Sequence, residues 1–458
     1  MKHTFSKIVF PLGSTDSFSL LSCVDEVYLV GSSSSNSCPT GFFCARFRSA
    51  CRFAAHTLWA VLLLSSFALG LSACYSDHDS PDAPPTEEQL ADYTVMIYMA
   101  ADNGLKPYAL EDLEEMKEGM AQVSNSNVHL LVYVDTGTAP RLVELVKEKG
   151  VVTEKLIKEY GSRNSCGVEE MQEVMDDLKG NKSLLAKKYG FIFWSHGDGW
   201  IPASSHISTR WIGQDVTGTI HYMDIRDLVN FYAKYPKMEF ILFDACFMLS
   251  MEVAYALRDQ VEYVIGCPTE TPGPGADYSR LIPAIMAGGE QIAVNIGKAF
   301  YEPYEEKYNG GQGWTDQNWT AGASIGVVKT ELLSQLATRT RQYLTNAKMP
   351  EDIYQTVFDY DKRTPTSFLY VGYFDTVQMM EQLLSSADFA QWKKLYEQAL
   401  VYWQTTPKNY SDNIRRLFSM EGANGISHFI PRADRPLAAS AYQDTDWYRD
   451  AGLSQLGW

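Results

Sequence analysis

Gly190-Phe191-Ile192-Phe193-Trp194-Ser195-His196-Gly197-Asp198-Gly199-Trp200 and, further on, Glu239-Phe240-Ile241-Leu242-Phe243-Asp244-Ala245-Cys246-Phe247-Met248 decide the reading of this chain. Each begins as a short apolar run without polar alternation. That pattern marks a strand buried on both faces, as in a parallel sheet covered by helices. Each run then ends abruptly in polar or reactive residues.

The same signal recurs elsewhere in the chain. Tyr93–Ala100, Val128–Val134 and Val261–Gly266 read as further buried strands. Between them, Leu105, Ala109, Leu113, Met116 and Met120 recur at three- and four-residue steps, and Cys166–Lys179 also reads as a helix. The run ending at Cys246 is expected to lead straight into a helix reaching Asp259. Alternating strands and helices predict an α/β fold with a mostly parallel sheet flanked by helices on both faces. Beyond residue 330 the pattern turns largely helical, with helices expected over Glu331–Ala347, Asp375–Ser386 and Asp388–Trp403 and a late strand over Asn424–Pro431. The chain therefore divides into residues 1–73, a tether over 74–92, an α/β domain over 93–330, and a helical part over 331–458 packed on it.

The chain has 458 residues, of which 45% are hydrophobic and 13% aromatic, enough for a sizeable core, so general disorder is excluded. Its formal net charge of −17 disfavours a partner whose phosphates must be neutralised, so no nucleic acid is expected. No Cys-x-x-Cys or His-Glu-x-x-His spacing occurs, and no metal site is expected.

Ligands in such sheets bind beyond the carboxyl ends of the strands. His196 and Cys246 both stand there. An imidazole can take a thiol proton and return it to a leaving amine. A helix starting near Cys246 would favour the thiolate through its dipole. The backbone N–H groups of Gly197 and Cys246 are candidates for an oxyanion hole, whose loss costs about 2.7–4 kcal/mol of barrier. Taken singly, a cysteine after a buried strand is usually a small core residue and a histidine beside glycine a turn residue. The pairing at two strand exits is what raises them to candidates.

The segments Phe191–Gly197 and Ile241–Met248, with Thr94–Asn103 and Asn424–Ser427, resemble the clostripain family of bacterial cysteine peptidases over about residues 93–440. A His about 50 residues upstream of the nucleophile is also the caspase arrangement. The resemblance implies a caspase-like fold, His196 as general base, Cys246 as nucleophile, no cofactor for the chemistry, and cleavage of proteins or peptides after Arg, with Lys also accepted. It places Asp244, two residues before the nucleophile, in the specificity pocket, where a carboxylate pairs with a guanidinium. The competing reading is a helix cap. Asp277 is a second acidic candidate and Glu270 a weaker one. The resemblance also implies self-cleavage between the His and the Cys, and Arg210 is the only Arg or Lys between His196 and Arg226. Calcium dependence occurs in some relatives, although no calcium-loop spacing stands here. The alternatives are a non-catalytic cell-surface binding protein of the same fold, or another acyl transfer on the same pair.

The first 57 residues carry little that predicts a folded domain. Arg46, Arg48 and Arg52 then precede an apolar stretch, Leu58–Gly70, that ends in Leu71-Ser72-Ala73-Cys74. This resembles a bacterial lipoprotein signal, with Cys74 lipidated and residues 1 to about 45 a misassigned start. The alternative is an uncleaved anchor over Phe53–Ala73. The lipoprotein reading leaves a chain of net charge −19 at an outer-membrane, cell-surface or periplasmic face, tied to the membrane through its lipid. Cys74 apart, Cys166, Cys246 and Cys267 remain, an odd number that predicts at least one free thiol. Intact mass of the mature protein should correspond to a chain starting at a diacylated Cys74; a mass that retains residues 53–73 contradicts this.

Overall fold

The computed structural model describes residues 89–201, 212–312, 319–365, 367, 370 and 372–458, together with three short strands near the N-terminus. Those three, Lys7–Val9, Ser17–Cys23 and Glu26–Ser32, form an antiparallel sheet within a unit spanning residues 1–81, where the sequence predicted no fold. Cys74 and Arg210 lie outside the described residues.

The second unit, residues 82–458, is built on one nine-stranded sheet. Its strands are β1 (Ala91–Ala100), β2 (Val128–Asp135), β3 (Arg141–Glu148), β4 (Val151–Glu159), β5 (Ala186–Trp194), β6 (Met238–Asp244), β7 (Val261–Gly266), β8 (Ser324–Lys329) and β9 (Leu400–Thr405). Their order across the sheet is β9-β8-β7-β6-β5-β1-β2-β3-β4. The central five are parallel, and only β3 and β8 run against the rest.

The continuous apolar runs follow from two cores. Met96, Tyr98, Phe191, Phe193, Ile241 and Phe243 face one; Val95, Ile97, Ile192, Trp194, Phe240 and Leu242 face the other. Successive side chains of a strand point to opposite faces, so both parities must be apolar. The first core is covered by α2 (Val168–Gly180), α3 (Ile225–Tyr232) and α4 (Met251–Ala256). The second is covered by α1 (Lys106–Gln122), α5 (Tyr278–Met286) and α6 (Ile292–Lys307). The expected helix-flanked, mostly parallel fold is the one observed.

Three expectations change. The strand bearing Asp244 does not run into a helix: residues 245–250 are irregular, and α4 starts at Met251, where Ser250 Oγ accepts the Val253 N–H at 3.2 Å. The helix expected over Asp388–Trp403 is instead Ser386–Ala399, and Leu400-Val401-Tyr402-Trp403 leaves it as the edge strand β9. Its β-branched and aromatic residues fit the pleated surface, and pairing with β8 overrides the helical spacing. Of the late strand, only Ser427–His428 pairs, with Phe374–Asp375. Residues 331–458 thus contribute a strand to the central sheet as well as helices.

Candidate active site

Trp194 at the end of β5 pairs directly with Asp244 at the end of β6. Because the two strands are parallel and end level, His196 and Cys246 each stand two residues beyond the same rung. Both line one cavity of about 380 Å³ at the carboxyl edge of the sheet, together with Gly197, Asp198, Asp244, Glu270, Thr271 and Arg363. The sequence-predicted pair and the predicted pocket carboxylate are therefore brought together.

The turn carrying His196 is fastened from below. Ser195 Oγ donates to the Ala100 carbonyl at 2.7 Å and accepts the Gln214 N–H at 3.1 Å, and Asn103 Nδ2 donates to the carbonyls of Ala100 and Gln214. The His196 carbonyl accepts the Gly213 N–H at 2.9 Å. Gly197 lies against the nucleophile strand: a Cβ there would meet the Cys246 carbonyl oxygen at 2.8 Å and the Ala245 Cβ at 2.9 Å. Glycine is required at this position by close approach of two backbones.

Cys246 sits five residues ahead of α4, so the expected help from a helix dipole falls away. Its neighbour is instead the loop after β7. The Thr271 N–H donates to Sγ at 3.2 Å, and Sγ lies 3.8 Å from the Thr271 carbonyl. Burial, and next the nearby Glu270 carboxylate, push the thiol up to about 12, while the Thr271 N–H opposes them. Burial lowers the His196 imidazole below its ordinary value. At neutral pH both groups are therefore uncharged. Cys166 and Cys267 are also free thiols, but fully buried ones, away from the cavity lining.

Asp244 is buried and does not cap a helix. Its carboxylate accepts the Ala276 N–H and the Tyr278 O–H, both at 3.1 Å. Burial pushes it up to about 6, and these two donors restrain the rise. Gly275 wraps it so closely that a Cβ would lie 2.8 Å from a carboxylate oxygen. Behind it, Trp194 Nε1 donates to buried Asp112 at 2.7 Å, and burial followed by the charge of Asp244 pushes Asp112 up to about 9. Asp244 is thus the member of this pair that is charged at neutral pH. Asp277 is not brought to the cavity lining; it sits at the start of α5 with Ser279 and Arg280, because the loop turns away after Gly275. Glu270, the weaker candidate, does line the cavity, and its carboxylate accepts from the Ser411 hydroxyl and from the Asp412 N–H at 2.8 Å.

Comparison with known proteins decides the family. The model of the clostripain family matches residues 97–455. The chain belongs to the clostripain family. It is similar to a secreted C11 cysteine protease from Bacteroides thetaiotaomicron solved with an irreversible peptide inhibitor, at 37% identity and a TM-score of 0.72, covering 79% of this chain and 99% of that one. It is also similar to an inactive zymogen C11 protease from Parabacteroides distasonis, at 28% identity and a TM-score of 0.67, covering 81% and 99%. Clostripain of Hathewaya histolytica is 23% identical over 405 residues, 75% of each chain. This clostripain-family chain is a cysteine peptidase, and its chemistry needs no cofactor.

Sequence reasoning missed Asp198, Thr271 and Arg363 as residues lining the cavity. Arg363 lies far along the chain in a segment with no motif, and only the fold brings it to the cavity. Among the described residues no group of three or more His, Cys, Asp or Glu is placed to hold a metal ion, and no helix is long and apolar enough to cross a membrane. Gly197→Ala should force the two backbones apart and lower peptidase kcat by about 100-fold, measured on a fluorogenic peptide; activity within twofold of wild type contradicts the close-approach argument.

Proposed function

We propose that the protein is an endopeptidase cleaving after Arg, and also Lys, with Cys246 as nucleophile and His196 as general base. What carries the reading is that Cys246, His196 and Asp244 line one cavity at the ends of two strands of level register. The P1 guanidinium enters toward Asp244, and its approach favours the carboxylate form. His196 takes the Cys246 proton as sulfur attacks the scissile carbonyl. Both groups rest neutral, so the proton passes from sulfur to imidazole as the C–S bond forms. The N–H groups of Gly197 and Cys246 receive the oxyanion. Imidazolium then protonates the leaving amine, and His196 activates water to release the thioester.

The reading extends to self-activation by cleavage after Arg210 and to membrane attachment through Cys74. The zymogen form of the Parabacteroides relative and the high resting position of the Cys246 thiol both favour an activation step. Calcium dependence belongs to the same reading and is tested by chelation.

Fluorogenic peptides ending in Arg, Lys, Asp or Asn discriminate the alternatives. Arg turnover abolished by Cys246→Ala is expected; no turnover in reducing buffer with calcium favours a binding protein. Asp244→Asn should cost about 2–5 kcal/mol in kcat/KM on Arg peptides. KM for Arg peptides should rise as pH falls through about 6, because protonation removes the charge of Asp244, and this dependence should vanish in Asp244→Asn. An unchanged Arg preference in that variant refutes the pocket assignment. A catalytically active Arg210→Ala protein that still splits at this point refutes the activation site.

A further inference from the structure

The carboxyl-terminal segment reaches back to the turn that follows His196. Arg363 is buried, and its guanidinium is bidentate to Asp198, with Nη1 at 3.0 Å and Nη2 at 2.9 Å from the two carboxylate oxygens. The same guanidinium holds Asp361 through Nε at 2.6 Å and Nη2 at 3.1 Å. Tyr373, ten residues on, donates its hydroxyl proton to the Asp198 carbonyl at 2.8 Å. Its ring fits only because residue 199 is glycine: at φ +90°, a Cβ there would meet the Tyr373 oxygen at 1.7 Å.

The other side of this clasp touches the residue after the nucleophile. Phe247 has a left-handed backbone, φ +60°, a conformation that a bulky residue holds only when its surroundings impose it. Its ring stacks on Tyr373 with centroids 5.4 Å apart, and the Arg363 guanidinium lies 5.2 Å over it. Its N–H is held by the Thr269 carbonyl at 2.9 Å. One arginine and one tyrosine therefore grip both strand exits, two residues past His196 and one past Cys246.

We propose that Arg363 is a positioning residue for the peptidase reaction: clamped between Asp198 and Asp361 and lying over Phe247, it sets the His196–Gly197 turn relative to Cys246. The inference rests on His196 and Cys246 being the reacting pair. The guanidinium acts through Asp198, Asp361 and Phe247. Its fork geometry, not only its charge, is what the planar bidentate contact uses. Asp244 belongs to a different network, with Ala276 and Tyr278, so its contact with the basic P1 side chain should be spared.

The test compares kcat and KM on an Arg peptide for Arg363→Met, Arg363→Lys and Asp198→Asn in the full chain, with melting temperature measured alongside. Displacement of the turn by about 1 Å predicts a kcat loss of about 100-fold with KM within threefold. Arg363→Lys should recover only part of it, and the double variant Asp198→Asn/Arg363→Met should be no slower than Arg363→Met. If Arg363→Met does not fold, Asp198→Asn, which keeps volume and burial, decides the matter by the same split. A folded variant with kcat within twofold of wild type, or with the loss confined to KM, overturns the proposal. Activity surviving in Cys246→Ala or His196→Ala would instead overturn the reaction assignment itself.

Discussion

The register of two parallel strands governs the site. Trp194 and Asp244 share a rung, so whatever stands two residues beyond either strand is delivered to the same edge at the same height. A shift of one residue would turn every side chain of one strand to the opposite face and separate the two groups. The register is held by packing, since Phe193 and Phe243 must enter one core while Trp194 and Leu242 enter the other. The backbone contact at Gly197 then closes the gap that the pairing leaves.

The same burial that fixes the geometry sets the electrostatics. Removing Cys246 from water raises its thiol, and Glu270, itself held by the hairpin strand Lys408–Ser411, adds to the rise. Removing His196 from water lowers its imidazole. The pair is thus poised as neutral acid and neutral base. The Asp244 carboxylate behaves differently because two donors converge on it and restrain the rise that burial causes.

Much of this was legible in the sequence. The buried runs ending at Ser195 and Asp244 foretold strands, their parallel direction and the sheet edge where His196 and Cys246 share a cavity, because continuous apolar character and strand-exit placement are local signals. The strands β3, β4 and β8 went unread: β4 is largely exposed and lacks alternation, and β8 is short and interrupted by Gly326. The helix assigned directly after Cys246 failed because Ser250, not Asp244, supplies the cap. Arg363 and Tyr373 were invisible for a different reason. Their significance lies in contacts spanning 165 and 175 residues, and nothing in the intervening chain encodes which carboxylate an arginine will meet.

On the proposed mechanism the Cys246 sulfur is the group presented to substrate, with His196 as its base. The most direct measurement is peptide mapping by mass spectrometry after reaction with an irreversible inhibitor carrying Arg at P1. One adduct, on Cys246, lost in His196→Ala, is the result expected here. An adduct on Cys166 or Cys267, or labelling of Cys246 at an unchanged rate without His196, would contradict it.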